Sequence, residues 1–150
     1  MQRLRLLIGA GLFIIVDQAV KNFIKDLAEK GDITIRGVSF FSFSYQCNQG
    51  IAFGITFNKL LTIVLAFLII VLLIFLLHKG DVGRNEKQAI YLIIIAGTAN
   101  AIDRLIHGCV TDYISVGRWP VFNLPDLVIV VSVGYIFFLN TIRNQQKRGS

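Results

Sequence analysis

The sequence predicts an all-α integral membrane protein. Four transmembrane helices are expected, with a small extracytoplasmic β-sheet or hairpin and a loop between the first and second. Three observations carry that reading. Of the 150 residues, 55% are hydrophobic and 16% charged, against about 45–50% and about 25% in a soluble domain. The apolar residues gather into four long runs, each near the ~20 residues that cross a hydrocarbon core about 30 Å thick. Basic residues collect on one side of those runs. Arg3 and Arg5 precede the first, Lys79, Arg84 and Lys87 fill the gap between the second and third, and Arg143, Lys147 and Arg148 follow the last. By the positive-inside rule both termini are cytoplasmic.

The first span covers about 4–25. It starts like a secretory signal, basic residues and then "LLIGAGLFIIV". It then runs into Asp17 and Lys21 with no small-residue cleavage site, so it is expected to be retained as a helix. Residues 26–58 form the longest extramembrane segment. Within it "ITIRGVSFFSFSYQ" alternates about Gly37, which predicts a short hairpin. Phe40, Phe41, Phe43 and Tyr45 suit a sheet resting on the outer interface. The second span, 59–78, is almost uninterrupted and is expected to face lipid. The third covers about 87–107 and the fourth about 125–142. The polar tail 143–150 is expected to fray. Together these make one membrane-embedded domain, 1–150.

The net charge of +6 follows from this topology, so nucleic acid is not an expected partner. No zinc-type Cys/His spacing occurs, and no metal is expected. Cys47 and Cys109 both fall on the extracytoplasmic side. A disulfide and two unpaired small residues are both compatible with their positions.

The third span carries Asn100, Asp103 and Arg104, groups that are costly in lipid and normally face a bundle interior. With a helical rise of about 1.5 Å per residue, Asp17 lies about 18 Å beyond Arg5. Asp103 lies about 24 Å beyond Lys87, and Asp126 about 25 Å from Arg143. Three acids on three helices thus reach the outer half of the bilayer, and Asp112, in the loop returning to the fourth span, can join them. Ala96 or Gly97, Asn100, Asp103, Arg104 and His107 share one stripe, and Asp17 and Lys21 stand at i and i+4. Local neutral pairs, Asp17 with Lys21 and Asp103 with Arg104, would make these residues structural glue. Asp112 and Asp126 have no such local partner beyond Arg118. Asp126 follows "NLP" at the positive end of a helix dipole. Asp112 sits at the apolar rim, where desolvation favours the protonated acid. Two carboxyls in such different surroundings suit acid/base hydrolysis.

At these residues the chain resembles the bacterial lipoprotein signal peptidase, or signal peptidase II, family. The likeness rests on "DQAVK" at 17–21, "NQGIAFG" at 48–54, "NAIDR" at 100–104, "VTDYI" at 110–114 and "WPVFNLPD" at 119–126. Five blocks in that order on four predicted spans cover most of the chain. Ala99 stands where the family usually has Gly, and Pro125 where it often has Ala. The resemblance implies a membrane aspartyl endopeptidase that removes the signal peptide from diacylglyceryl-modified prolipoproteins, cutting before the lipidated cysteine. It implies Asp112 and Asp126 as the catalytic dyad. It gives Asn48, Asn100, Arg104 and Asn123 supporting or substrate-contacting roles, with Asp17, Lys21 and Asp103 shaping the site. The 48–54 block is expected to clamp substrate from above, with Gly50 and Gly54 letting that loop flex. The resemblance implies no cofactor, membrane lipid as surroundings, inhibition by globomycin, and a place in the bacterial cytoplasmic membrane with the site near the outer face.

Two other readings compete. A small proton-conducting transporter would need polar groups through the whole span, whereas the cytoplasmic halves are apolar. An inactive scaffold binding acylated peptides would not need both aspartates. A Ser/Lys mechanism using Lys21 would require Ser132 beside it. His107 and Trp119 are expected to be a bystander and an interface anchor.

Overall fold

The computed structural model describes residues 2–31, 40–50, 58–79 and 82–148. The chain runs α1 (Gln2–Glu29), β1 (Phe41–Asn48), α2 (Lys59–His78), α3 (Arg84–Ile106), β2 (Val110–Val116) and α4 (Leu124–Arg148). All four helices are long and apolar enough to cross a membrane. The expected second span coincides with α2. α1 and α4 extend past the expected spans at both ends, α3 starts earlier than expected and stops at Ile106, and α4 continues through the tail to Arg148, where fraying is the expectation. Asn, Gln, Lys and Arg are all tolerated in an exposed helix end, so loss of apolar periodicity marked the edge of the membrane and not the end of the helix.

α3 is the hub, packing against α1, α2 and α4. Its buried face is made from small residues: Ala96 and Ala99 are wholly buried, which lets neighbouring backbones approach. Ala99 therefore still meets the packing requirement that Gly usually fills. α2 is the opposite case. Thr62 is its only buried residue, and side chains such as Phe67, Leu68 and Phe75 stand more than half exposed. A helix apolar all round, touching the rest mainly along α3, is what lipid solvates best. At the end of the bundle opposite the sheet, Glu86 at the start of α3 meets Arg143 of α4 at 2.7 Å. The other Glu86 oxygen accepts the Gly83 backbone N–H at 2.8 Å and caps the helix.

The small sheet is present, but its pairing is long-range. β1 runs antiparallel to β2, which comes from the connection between α3 and α4, with Gln46 opposite Asp112, Cys47 opposite Thr111 and Asn48 opposite Val110. The first strand and turn of the hairpin expected over 33–46 fall on residues 32–39, outside the described residues. Asp112 correspondingly lies on a strand and not on a returning loop. Alternation in "VTDYISV" is short and half masked by burial on both faces, since Val110 to Tyr113 are all buried, so no period-two signal reached the sequence. The turn from α3 into β2 is made at Gly108, whose φ of +80° is open to glycine. Its N–H donates to Arg104 O at 3.2 Å and ends the helix.

Candidate active site

α1 buries a single stripe, Asp17, Lys21 and Ile24, spaced i, i+4, i+7. Lys21 is 2% exposed and its ammonium is fully committed. It lies 2.7 Å from Asp17 Oδ2 and 2.9 Å from Asp103 Oδ2, and donates to Asn100 Oδ1 at 3.1 Å. Three oxygens therefore lie close around one ammonium, one of them in a hydrogen bond and two in ion pairs. Burial of a charge is tolerable only with such pairing. Asp103 also accepts Gln18 Nε2 at 2.7 Å and the Thr111 backbone N–H at 3.3 Å, which ties α1, α3 and β2 together.

The local pairing of Asp17 with Lys21 is therefore made, but that of Asp103 with Arg104 is not. Successive helix positions point about 100° apart, so Asp103 faces α1 while Arg104 turns toward β1. There Arg104 Nη2 donates to Gly50 O at 2.8 Å. Gly50, expected to loosen its loop, is buried and held at both ends, because its N–H also donates to Asn48 Oδ1 at 2.9 Å. Residues 51–57, the rest of that block with Gly54, lie outside the described residues.

Two carboxyls complete the cluster. Asp112, 1% exposed, accepts Asn48 Nδ2 on Oδ2 at 2.8 Å and Asn123 Nδ2 on Oδ1 at 2.6 Å. Asp126 accepts Asn100 Nδ2 on Oδ1 at 2.8 Å and the Asn123 backbone N–H on Oδ2 at 3.3 Å. Asn123 Oδ1 in turn accepts the Asp126 N–H at 2.9 Å. That reciprocal exchange is a capping box, with Asn123 before the helix and Asp126 at its third position. Pro125 fits between them because the first turn needs no proline N–H. One residue, Asn123, thus touches both acids.

Burial lifts the Asp112 carboxyl to about 6; the amides of Asn48 and Asn123 pull it down, while the nearby Asp126 charge pushes it up. A carboxyl titrating there can hold a proton under mildly acidic conditions and give it up near neutrality, as a general acid requires. All ten residues singled out from sequence join one network. It runs from Asp17 and Asp103 through Lys21 to Asn100 and Asp126. From there it passes through Asn123 to Asp112, Asn48, Gly50 and Arg104. Gln18 belongs to the network but was read only as part of its block. Its place three residues before Lys21, on the same face, was the available signal. Cys47 and Cys109 form a disulfide, settling what sequence left open. His107 and Trp119 are exposed. Lys21, occupied by two carboxylates, is not a base for Ser132. Between Ala96 and Glu86 the buried residues of α3 are Ala89 and Ile90, so its polar face stops short of the opposite end, as a conduit's would not.

Fold and site together define a multi-pass membrane protein that keeps a cluster of carboxylates and carboxamides at one end of its bundle. The model of the signal peptidase II family matches residues 9–142. The chain is 32% identical to the lipoprotein signal peptidase of Aeromonas hydrophila subsp. hydrophila, covering 97% of this chain and 92% of the other. It is 32% identical to that of Moorella thermoacetica, covering 85% and 86%. A solved structure described as a bacterial membrane enzyme, by the in meso method, superposes with a TM-score of 0.82 at 24% identity over 95% of this chain and 91% of that one, a likeness of fold. The chain belongs to the signal peptidase II family. It is a membrane protease.

Proposed function

We propose that this protein is an aspartic endopeptidase that frees prolipoproteins from their signal peptides, cutting before a diacylglyceryl-modified cysteine, with Asp112 and Asp126 as the catalytic pair. The observation that carries the assignment is Asn123, whose carboxamide and backbone contact both carboxyls and so hold them in one site. The substrate class is supported by the names of the relatives. Asp126 takes the proton of a water held between the two acids as that water attacks the scissile carbonyl. Asp112, the acid whose burial keeps its proton to about pH 6, donates to the carbonyl oxygen and stabilises the tetrahedral intermediate. Collapse then expels the amine, which leaves with a proton from the pair. On this assignment kcat/KM falls as pH rises through about 6.

Asn48 holds one oxygen of Asp112 and Asn100 one oxygen of Asp126, and Arg104 holds the Gly50 carbonyl. Asp17, Lys21 and Asp103 brace the site from within the bundle. On this reading the site end faces outward from the bacterial cytoplasmic membrane, with both termini inside. Support comes from the basic residues at the opposite end and from the disulfide, which persists in oxidising compartments. A substrate anchored by acyl chains need not leave the bilayer, where each buried CH₂ is worth about 0.8 kcal/mol. Globomycin is expected to compete for the same site. The deciding experiment supplies purified protein with a diacylated prolipoprotein and its non-acylated twin, with and without globomycin. Cleavage of the acylated form only, blocked by the drug and absent in Asp112→Asn and Asp126→Asn, is expected. Unchanged turnover in either variant overturns the dyad.

A further inference from the structure

We infer that the Cys47–Cys109 disulfide is a positioning device: it clamps the end of β1 to the turn before β2 so that Asn48 keeps its carboxamide on Asp112. This rests on the proposed role of Asp112. Cys47 immediately precedes Asn48, and Cys109 stands three residues before Asp112. Their Cα atoms are 5.5 Å apart across 62 residues of chain. Asn48 is paired with Val110, so it reaches Asp112 diagonally, two residues along the opposite strand. That reach depends on register. A slip of one residue turns the Asn48 side chain to the other face of the sheet.

The ladder alone is a poor guardian of that register. A two-stranded sheet is marginal on its own, and here the register shifts between Phe43 and Gln46. The pairs from Gln46 to Asn48 are therefore cut off from those at Phe41 to Phe43. The disulfide sits inside this separated stretch, at the residue next to Asn48. It restrains Gly50 as well, whose N–H is bonded to Asn48 and whose carbonyl is bonded to Arg104.

Cys47 is exposed and Cys109 is 5% exposed, so a reducing thiolate attacks Cys47 Sγ. With dithiothreitol, the S–S bond breaks as the mixed disulfide forms at Cys47. The second thiol then closes the reagent into its cyclic disulfide, leaving both protein cysteines as thiols. Two electrons pass from reagent to protein.

Reduction of the folded, membrane-inserted protein is the first test, because it does not require the chain to fold without its link. With a diacylated prolipoprotein peptide as substrate, kcat is expected to fall about tenfold while KM changes less than about twofold, the scale of one hydrogen bond to a charged group. The alkaline limb of the pH profile is expected to move upward, because the Asn48 amide favours ionised Asp112. Reoxidation restores both. Asn48→Ala with the disulfide intact is expected to show the same loss and the same profile, and reduction should then add nothing. Full activity after reduction overturns the inference. So does an equal loss on reducing Asn48→Ala, which would make the link a general stabiliser. Asp112→Asn separates the levels: if it is dead while reduction is harmless, only the disulfide's role fails, and if it stays active the dyad itself fails.

Discussion

Replacing Lys21 by Met keeps the length of the side chain and removes its charge. In the native bundle the ammonium lies within 3 Å of carboxylates on both α1 and α3 and is 2% exposed. In Lys21→Met those carboxylates face each other with no counter-charge. Breaking a buried ion pair by removing one partner costs about 3–5 kcal/mol in general, so we expect a loss of about 3–5 kcal/mol at pH 7. Thermal unfolding in detergent micelles, followed by circular dichroism, measures it. Lys21→Met combined with Asp17→Asn and Asp103→Asn should recover most of the loss, since no charge is then stranded. Turnover is expected to fall at least tenfold even well below the melting temperature, because Asn100 loses the partner that fixes its amide toward Asp126. A Lys21→Met protein within about 0.5 kcal/mol of the parent at pH 7 would refute the view that this ion triad braces the site.

Asp112 carries a stability signature of its own. Its folded carboxyl holds a proton to about 6, above the ordinary 3.8. The unfolded chain therefore releases that proton first, and stability falls as pH rises from about 4 to about 6, by about 3 kcal/mol in all. Asp112→Asn has no charge to bury there, so the fall in thermal stability across that window should be smaller than in the parent by up to about 3 kcal/mol, in a protein that no longer cleaves. Asn123→Ala removes a donor to Asp112 together with the side-chain cap of α4. Loss of the cap should cost about 1 kcal/mol. The kcat/KM profile against pH should drop at least tenfold, with its alkaline limb moved upward by about one pH unit, because the amide favours ionised Asp112.

The membrane spans were legible because hydropathy and basic flanks act over twenty residues at a time. The run that became α2 could be bounded to the residue, since lipid-facing sequence stops where lipid stops. The site residues were legible for the related reason that Asp, Asn and Lys inside apolar runs need partners. What stayed hidden was the choice of partner. Asp103 stands beside Arg104 in sequence yet pairs with Lys21, because helical geometry aims neighbours apart. β1 and β2 are separated by two transmembrane helices, and no local pattern announces a ladder between them. The disulfide follows from that ladder, so the sequence offers it only as one of two possibilities. Asp112 reads as a loop residue because its strand carries little alternation, and its proposed pairing with Asp126 does not depend on that detail.

Asn123 opens α4 with the same two contacts that hold Asp126 beside it, and its remaining amide holds Asp112. With Asp112 and Asp126 as the proposed pair, starting the last transmembrane helix and bringing the two acids together share the same contacts. On that proposal, a molecule whose final helix has not started has no paired acids with which to cut other membrane polypeptides.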